Sequence, residues 1–93
     1  MELLSLHTEI ETEDGSYLWC SYRLIQDNLP GGDLPTYGIE CLLEGMAEDS
    51  PTTHVLLRGI STHQQLVEAM VWQLARGQVL PIHITDIITD FVG

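Results

Sequence analysis

The sequence predicts an α+β fold: a four-stranded antiparallel meander followed by two helices packed on one face, ββββαα. Two observations carry that expectation. Through residue 59, apolar and polar residues alternate in runs broken by Gly, Pro and Asp. Beyond residue 61 the apolar positions recur at helical spacing instead. Size supplies a third: 93 residues make one domain, spanning 1–93, and a 44% hydrophobic content suffices for a single core.

The elements follow in order. In residues 3–12, Leu4, Leu6 and Ile10 alternate with Ser5, His7, Glu9 and Glu11, which predicts a strand with one wet face. Glu13-Asp14-Gly15 ends it, and Asp-Gly before a β-rich run is a hairpin signal. Residues 16–26 form strand two, with Leu18, Cys20, Tyr22 and Leu24 inward and Tyr17, Trp19 and Arg23 outward. The polar stretch DNLPGGDLP reads as a loop. Strand three, 36–46, sets Tyr37, Ile39, Cys41 and Leu43 against Glu40 and Glu44. Glu-Asp-Ser-Pro is a further turn, and strand four, 53–59, points Val55 and Leu57 inward with His54 and Arg58 outward.

The period then changes. Ser61-Thr62-His63-Gln64 fits a capping box, with Ser61 as the cap and Gln64 reaching back. Leu66, Val67, Met70, Val71 and Leu74 form the expected buried stripe of the first helix. Arg76 sits in its last turn, and Gly77 is the expected left-handed residue beyond it. Pro81 opens a second helix in which Ile84, Ile87, Ile88, Phe91 and Val92 share a face. Its β-branched content opposes a helix by a few tenths of a kcal/mol per residue. The helical reading nevertheless separates apolar from charged residues, and the strand reading mixes them.

Charge narrows the function. Fourteen acids face three arginines and no lysine, a formal net charge of −11. Direct binding to nucleic acid needs cations that displace counterions, so it is not expected, and neither is docking on anionic membranes. A protein partner with a basic surface would be attracted. The opening MELLSLHTEIETEDG has no basic n-region and no unbroken apolar stretch, so no secretion signal is expected and the cytoplasm is the expected location. Cys20 and Cys41 lie in apolar segments without metal spacing and read as reduced, buried thiols, whose pKa burial would raise.

The stretch HITDIITD invites a chemical reading, because His83, Asp86 and Asp90 share roughly one helical face. Asp90 is about 6 Å along the axis from Asp86 at 1.5 Å per residue, too far to join the same ion easily. A zinc site wants three or four ligands, and no HExxH, CxxC or DxDxDG pattern is present. The three residues read as the wet side of the helix. No catalytic, cofactor-binding or metal-ligating residue is expected.

Two short motifs suggest kinship. Tyr37-Gly38-Ile39, together with Leu80, Pro81, His83, Asp86, Asp90 and Phe91 in the ending LPxHxxDxxxDF, resembles a family of small uncharacterised proteins from clostridial Firmicutes, a domain of unknown function. The resemblance covers most of the chain. It implies a cytoplasmic bacterial origin and a sheet-plus-helices fold, and it implies no activity.

Partner-binding residues are therefore sought on the surface. Glu9, Glu11, Glu13 and Asp14 continue the outward face of strand one into its turn. Such charges discourage edge-to-edge aggregation, and they would also suit a basic partner. Tyr17 and Trp19 fall on the wet face of strand two, and Trp72 lies off the apolar stripe of the first helix. Exposed Tyr and Trp are favoured interface anchors. The expected function is a non-enzymatic protein–protein interaction module, and a homodimer is one form of it. The alternative is an acidic mimic of nucleic acid, of the anti-CRISPR or anti-restriction type, blocking a basic partner. A small metal-dependent enzyme is the least favoured reading.

Overall fold

Alternation in the first sixty residues produces a sheet with one face for the core and one left uncovered. The computed structural model describes residues 1–11, 15–28, 34–44 and 53–92, with side chains through Asp90. Strands β1 (Glu2–Glu11), β2 (Tyr17–Asn28), β3 (Pro35–Leu43) and β4 (His54–Ser61) are followed by helices α1 (Gln64–Arg76) and α2 (Pro81–Val92). The strands pair antiparallel in chain order, β1-β2-β3-β4. This is the meander and the ββββαα order that the sequence predicts. Gly15 has φ +85°, in keeping with a turn glycine, while residues 12–14 of the Asp-Gly hairpin lie outside the described residues. So do 29–33 of the polar stretch and the Glu-Asp-Ser-Pro turn.

Register places Leu4, Leu6 and Ile10 of β1 beside Leu24, Tyr22 and Leu18 of β2. The next strand continues the layer with Ile39 beside Leu24 and Cys41 beside Tyr22. Val67, Met70, Val71 and Leu74 of α1 and Ile84 and Ile88 of α2 close over it, and all six are buried. At roughly 1.5–3 kcal/mol for each large apolar side chain taken from water, this layer supplies the driving force for folding. Helix α1 contacts all four strands, whereas α2 lies under β3 and β4. The helices touch the sheet far more than they touch each other. Between them runs a recess of about 180 Å³ lined by Met70, Leu74, Val79, Ile87 and Ile88.

Two irregularities depart from simple alternation. Glu2 pairs with Ile25 and Leu4 with Leu24, so Leu3 is an extra residue in β1. A bulge of one residue reverses the face of whatever lies beyond it. Glu2 therefore turns to the uncovered face, where strict alternation would bury it. In β4 the register runs from Leu57 opposite Ile39 to Ser61 opposite Tyr37, leaving two extra residues in the bulged strand. Gly59, inside this bulge, has φ +65°. The bulged backbone folds over Gly38: a Cβ there would overlap the Leu57 carbonyl oxygen and stand 3.0 Å from the Arg58 Cα. Tyr37 and Ile39 point to the core on either side, so Tyr-Gly-Ile is two core residues flanking a site of close backbone approach.

The helix ends correct the sequence reading. Helix α1 begins at Gln64, and His63 is its N-cap without a side-chain cap bond. Ser61 still belongs to β4, and its hydroxyl accepts from the His63 N–H at 3.0 Å, so the expected capping box falls too early. At the other end Gly77 is right-handed (φ −84°), and the left-handed residue is Gln78 at φ 52°. The Gln78 N–H bonds Ala75 O at 3.1 Å and the Val79 N–H bonds Leu74 O at 3.1 Å, the paired closure of a Schellman motif. A non-glycine residue at positive φ has a visible compensation, because the Gln78 side-chain amide donates to the Glu9 carbonyl of β1 at 2.9 Å. Two stripe positions also differ: Leu66 and Ile87 are exposed, the latter on the rim of the interhelical recess.

Two stability predictions follow from this backbone. Gly38→Ala forces β3 and β4 apart and is expected to cost upwards of about 3 kcal/mol, seen as a lower urea midpoint. Gln78→Ala keeps the left-handed strain and loses the tether, so it should cost about 1 kcal/mol. Gln78→Gly loses the tether but relieves the strain and should be close to neutral. Equal destabilisation by both Gln78 substitutions would show that backbone strain at this position is unimportant.

Candidate interaction surface

The face of the sheet opposite the helices carries the residues with chemistry. Odd-numbered residues of β2 point to it, and the cross-strand register sets their neighbours. Glu9 stands beside Trp19 and Glu11 beside Tyr17. All four are exposed, Trp19 at 49% and Tyr17 at 58%. Two carboxylates and two aromatic rings thus occupy one corner of the open face, in two successive rows of that face. Four of the seven residues singled out from sequence converge here. Trp72 does not: 45% exposed on α1, it lines a recess with Leu6, Thr8, Ala75 and Arg76, on the helix side of β1. Glu13 and Asp14 lie outside the described residues.

Beyond the corner, an ionic chain crosses the whole sheet. Arg23 Nε lies 3.2 Å from Glu2 Oε1, an ion-pair contact whose angle falls short of a hydrogen bond. Arg23 Nη1 donates to Glu40 Oε1 at 3.2 Å, and Glu40 Oε2 meets His54 Nε2 at 2.9 Å. The chain links β1, β2, β3 and β4 in turn. Burial by itself would raise the Glu40 pKa, but hydrogen bonds from His54 and Arg23 outweigh it and hold the carboxyl below its ordinary value. Arg58 in the β4 bulge approaches Asp27 at 3.7 Å. A second relay joins Ser5 Oγ to His7 Nε2 at 3.3 Å and His7 Nδ1 to Glu44 Oε1 at 3.2 Å.

The distribution of charge follows. Two of the three arginines lie against carboxylates of the sheet, Arg23 half-buried and Arg58 exposed. Neither partners Glu9 or Glu11, so the aromatic corner keeps its negative charge. Sequence reading missed the Glu2–Arg23–Glu40–His54 chain. The outward placing of Arg23, Glu40 and His54 was legible, but their alignment depends on strand register, and Glu2 arrives only through the Leu3 bulge.

His83, Asp86 and Asp90 are exposed on α2. Among the described residues no three His, Cys, Asp or Glu side chains are grouped as metal ligands. On the core side, Cys20 and Cys41 are fully buried free thiols with sulfurs 3.3 Å apart. The expectation that burial raises both pKa values holds for Cys41, pushed up first by its hydrogen bond to Cys20 and then by burial. Cys20 moves the other way, because the Cys41 hydrogen bond stabilises its thiolate more than burial disfavours it. Tyr22, whose hydroxyl burial pushes well above its usual range, donates to the Val79 carbonyl at 2.7 Å.

A family model matches residues 1–93 from end to end, and its description is a family of unknown function, DUF6514. The chain belongs to this family. No curated protein and no solved structure matches it. No helix among the described residues of this DUF6514 chain is long and apolar enough to cross a membrane.

The ionic chain gives a pH prediction. Glu40 has a folded-state pKa below its ordinary 4.5, so on acidification the unfolded chain takes up this proton first. The stabilisation is complete above that ordinary value and is lost as pH falls through the lower folded-state one. Glu40→Gln should therefore lower the melting temperature at neutral pH and flatten its decline between about pH 6 and about pH 3. Parallel melting curves for both proteins across that range would count against the network.

Proposed function

We propose that this DUF6514 chain is a non-enzymatic protein-binding module that presents the Glu9, Glu11, Tyr17 and Trp19 corner to a basic partner. The observation that carries the reading is the pairing of an exposed carboxylate with an exposed aromatic ring in two successive rows. Such a corner suits Arg or Lys side chains: the ring faces attract cations, and the carboxylates complete the charge. Net charge −11 would steer a basic protein toward the chain over a longer range. In this reading the protein is cytoplasmic and comes from clostridial Firmicutes. An acidic inhibitor is the special case in which the partner's basic surface is a nucleic-acid groove.

The test is affinity capture from an extract of the native cell with three baits: wild type, Tyr17→Ser/Trp19→Ser, and Glu9→Lys/Glu11→Lys. Asp86→Asn/Asp90→Asn on α2 serves as a charge control. A partner held by wild type and the control should be lost from both corner variants, with affinity falling ~30-fold or more for the aromatic pair. Binding should weaken with salt, as exposed charge pairs do. Competition by an added oligonucleotide would mark the inhibitor case. A concentration-dependent elution volume abolished by Trp19→Ser would mark a second copy as the partner. Undiminished capture by the aromatic variant, with its fold intact by circular dichroism, overturns the proposal.

A further inference from the structure

Apart from the open face, the structure brings together two nucleophiles that protein binding does not use. Cys20 and Cys41 are diagonal neighbours across β2 and β3, since Cys20 pairs with Leu43 and Cys41 with Tyr22. Both are fully buried, both are free thiols, and their sulfurs are 3.3 Å apart. That separation is a thiol hydrogen bond, about 1.3 Å longer than the ~2.05 Å of a disulfide.

We propose that Cys20 and Cys41 form a redox-active dithiol, oxidised to an intramolecular disulfide by a small peroxide. The Cys20 thiolate attacks one peroxide oxygen and the O–O bond breaks. Cys20 becomes a sulfenic acid, and the hydroxide released takes up the thiol proton as water. The Cys41 sulfur then attacks the Cys20 sulfur, the S–O bond breaks, and the hydroxyl leaves with the Cys41 proton as a second water. Hydrogen peroxide gains two electrons and the two thiols lose them, so atoms and electrons balance. Cys20 takes the attacking role because the Cys41 hydrogen bond stabilises its thiolate.

Burial selects the oxidant. Neither cysteine lines the recess between the helices, so an oxidant reaches the pair only through local opening of the core and must be small. A peroxide is small and uncharged. Glutathione disulfide is bulky and anionic, and the charge of −11 repels it. Peroxide chemistry is therefore expected without mixed-disulfide formation.

The experiment treats reduced wild-type protein with hydrogen peroxide, quenches it, denatures it, alkylates it and measures the intact mass. The expected product is monomeric, has lost both alkylation sites, and regains both after thiol reduction. Cys20→Ser and Cys41→Ser should each retain no bridge. Glutathione disulfide should leave both wild-type thiols free. The proposal is overturned if both thiols still alkylate after a peroxide dose that converts a free reference thiol. It is equally overturned if they end as sulfonates or as an intermolecular dimer. Counting alkylation sites is unaffected by methionine oxidation, and the wild-type arm does not depend on any variant folding.

Discussion

A phenol placed in the middle of a small apolar core must find an acceptor, and much of this structure depends on how Tyr22 finds one. Its ring fills the centre of the sheet's inner layer, and its hydroxyl reaches the Val79 carbonyl between the two helices. An unpaired buried hydroxyl costs a few kcal/mol, so this one bond constrains where the helix connection can sit. The Schellman turn delivers the Val79 carbonyl to that place. Gln78, one residue earlier, ties the same connection to the edge of β1. Between them, a central strand and an edge strand hold the end of α1, and α2 is launched from Pro81 two residues beyond Val79.

The uncovered face is organised by departures from regular β geometry. The bulge at Leu3 turns Glu2 outward to meet Arg23, and that contact begins the ionic chain to Glu40 and His54. The bulge in β4 lays backbone across Gly38 and carries Arg58 toward Asp27. The first feature gives the half-buried Arg23 a second carboxylate, and the second brings the exposed Arg58 near one. The remaining corner is left acidic and aromatic, which is the basis of the proposed partner chemistry.

Much of the architecture is legible in the sequence. Period-two alternation in Leu4–Leu6–Ile10 and Leu18–Cys20–Tyr22–Leu24 marks strands, and the change of period after Ser61 marks helices. Tyr17 and Trp19 were legible as outward for the same reason, and so were Glu9 and Glu11. Misreadings cluster at element ends. Ser61 looked like a cap, but a strand residue and a cap residue can offer the same hydroxyl. Gly77 looked like the left-handed terminus, but a side-chain bond from Gln78 to another element stabilises a conformation that glycine would adopt without help. Leu66 and Ile87 looked like core because periodicity gives the angle of a side chain around its helix and not what stands opposite it.

By itself the sequence determined the number, order and type of elements, the sidedness of each strand and the acidity of the surface. Those follow from local periodicity and composition, which act within a few residues. Only the tertiary structure decided the pairing of Glu9 with Trp19 and Glu11 with Tyr17, the ionic chain across four strands, and the contact between Cys20 and Cys41. Each depends on strand register, and the Glu2 end of the ionic chain depends on the Leu3 bulge as well. A shift of one residue costs little locally but reverses every side chain beyond it, so register is settled by the packing of the whole sheet against its helices.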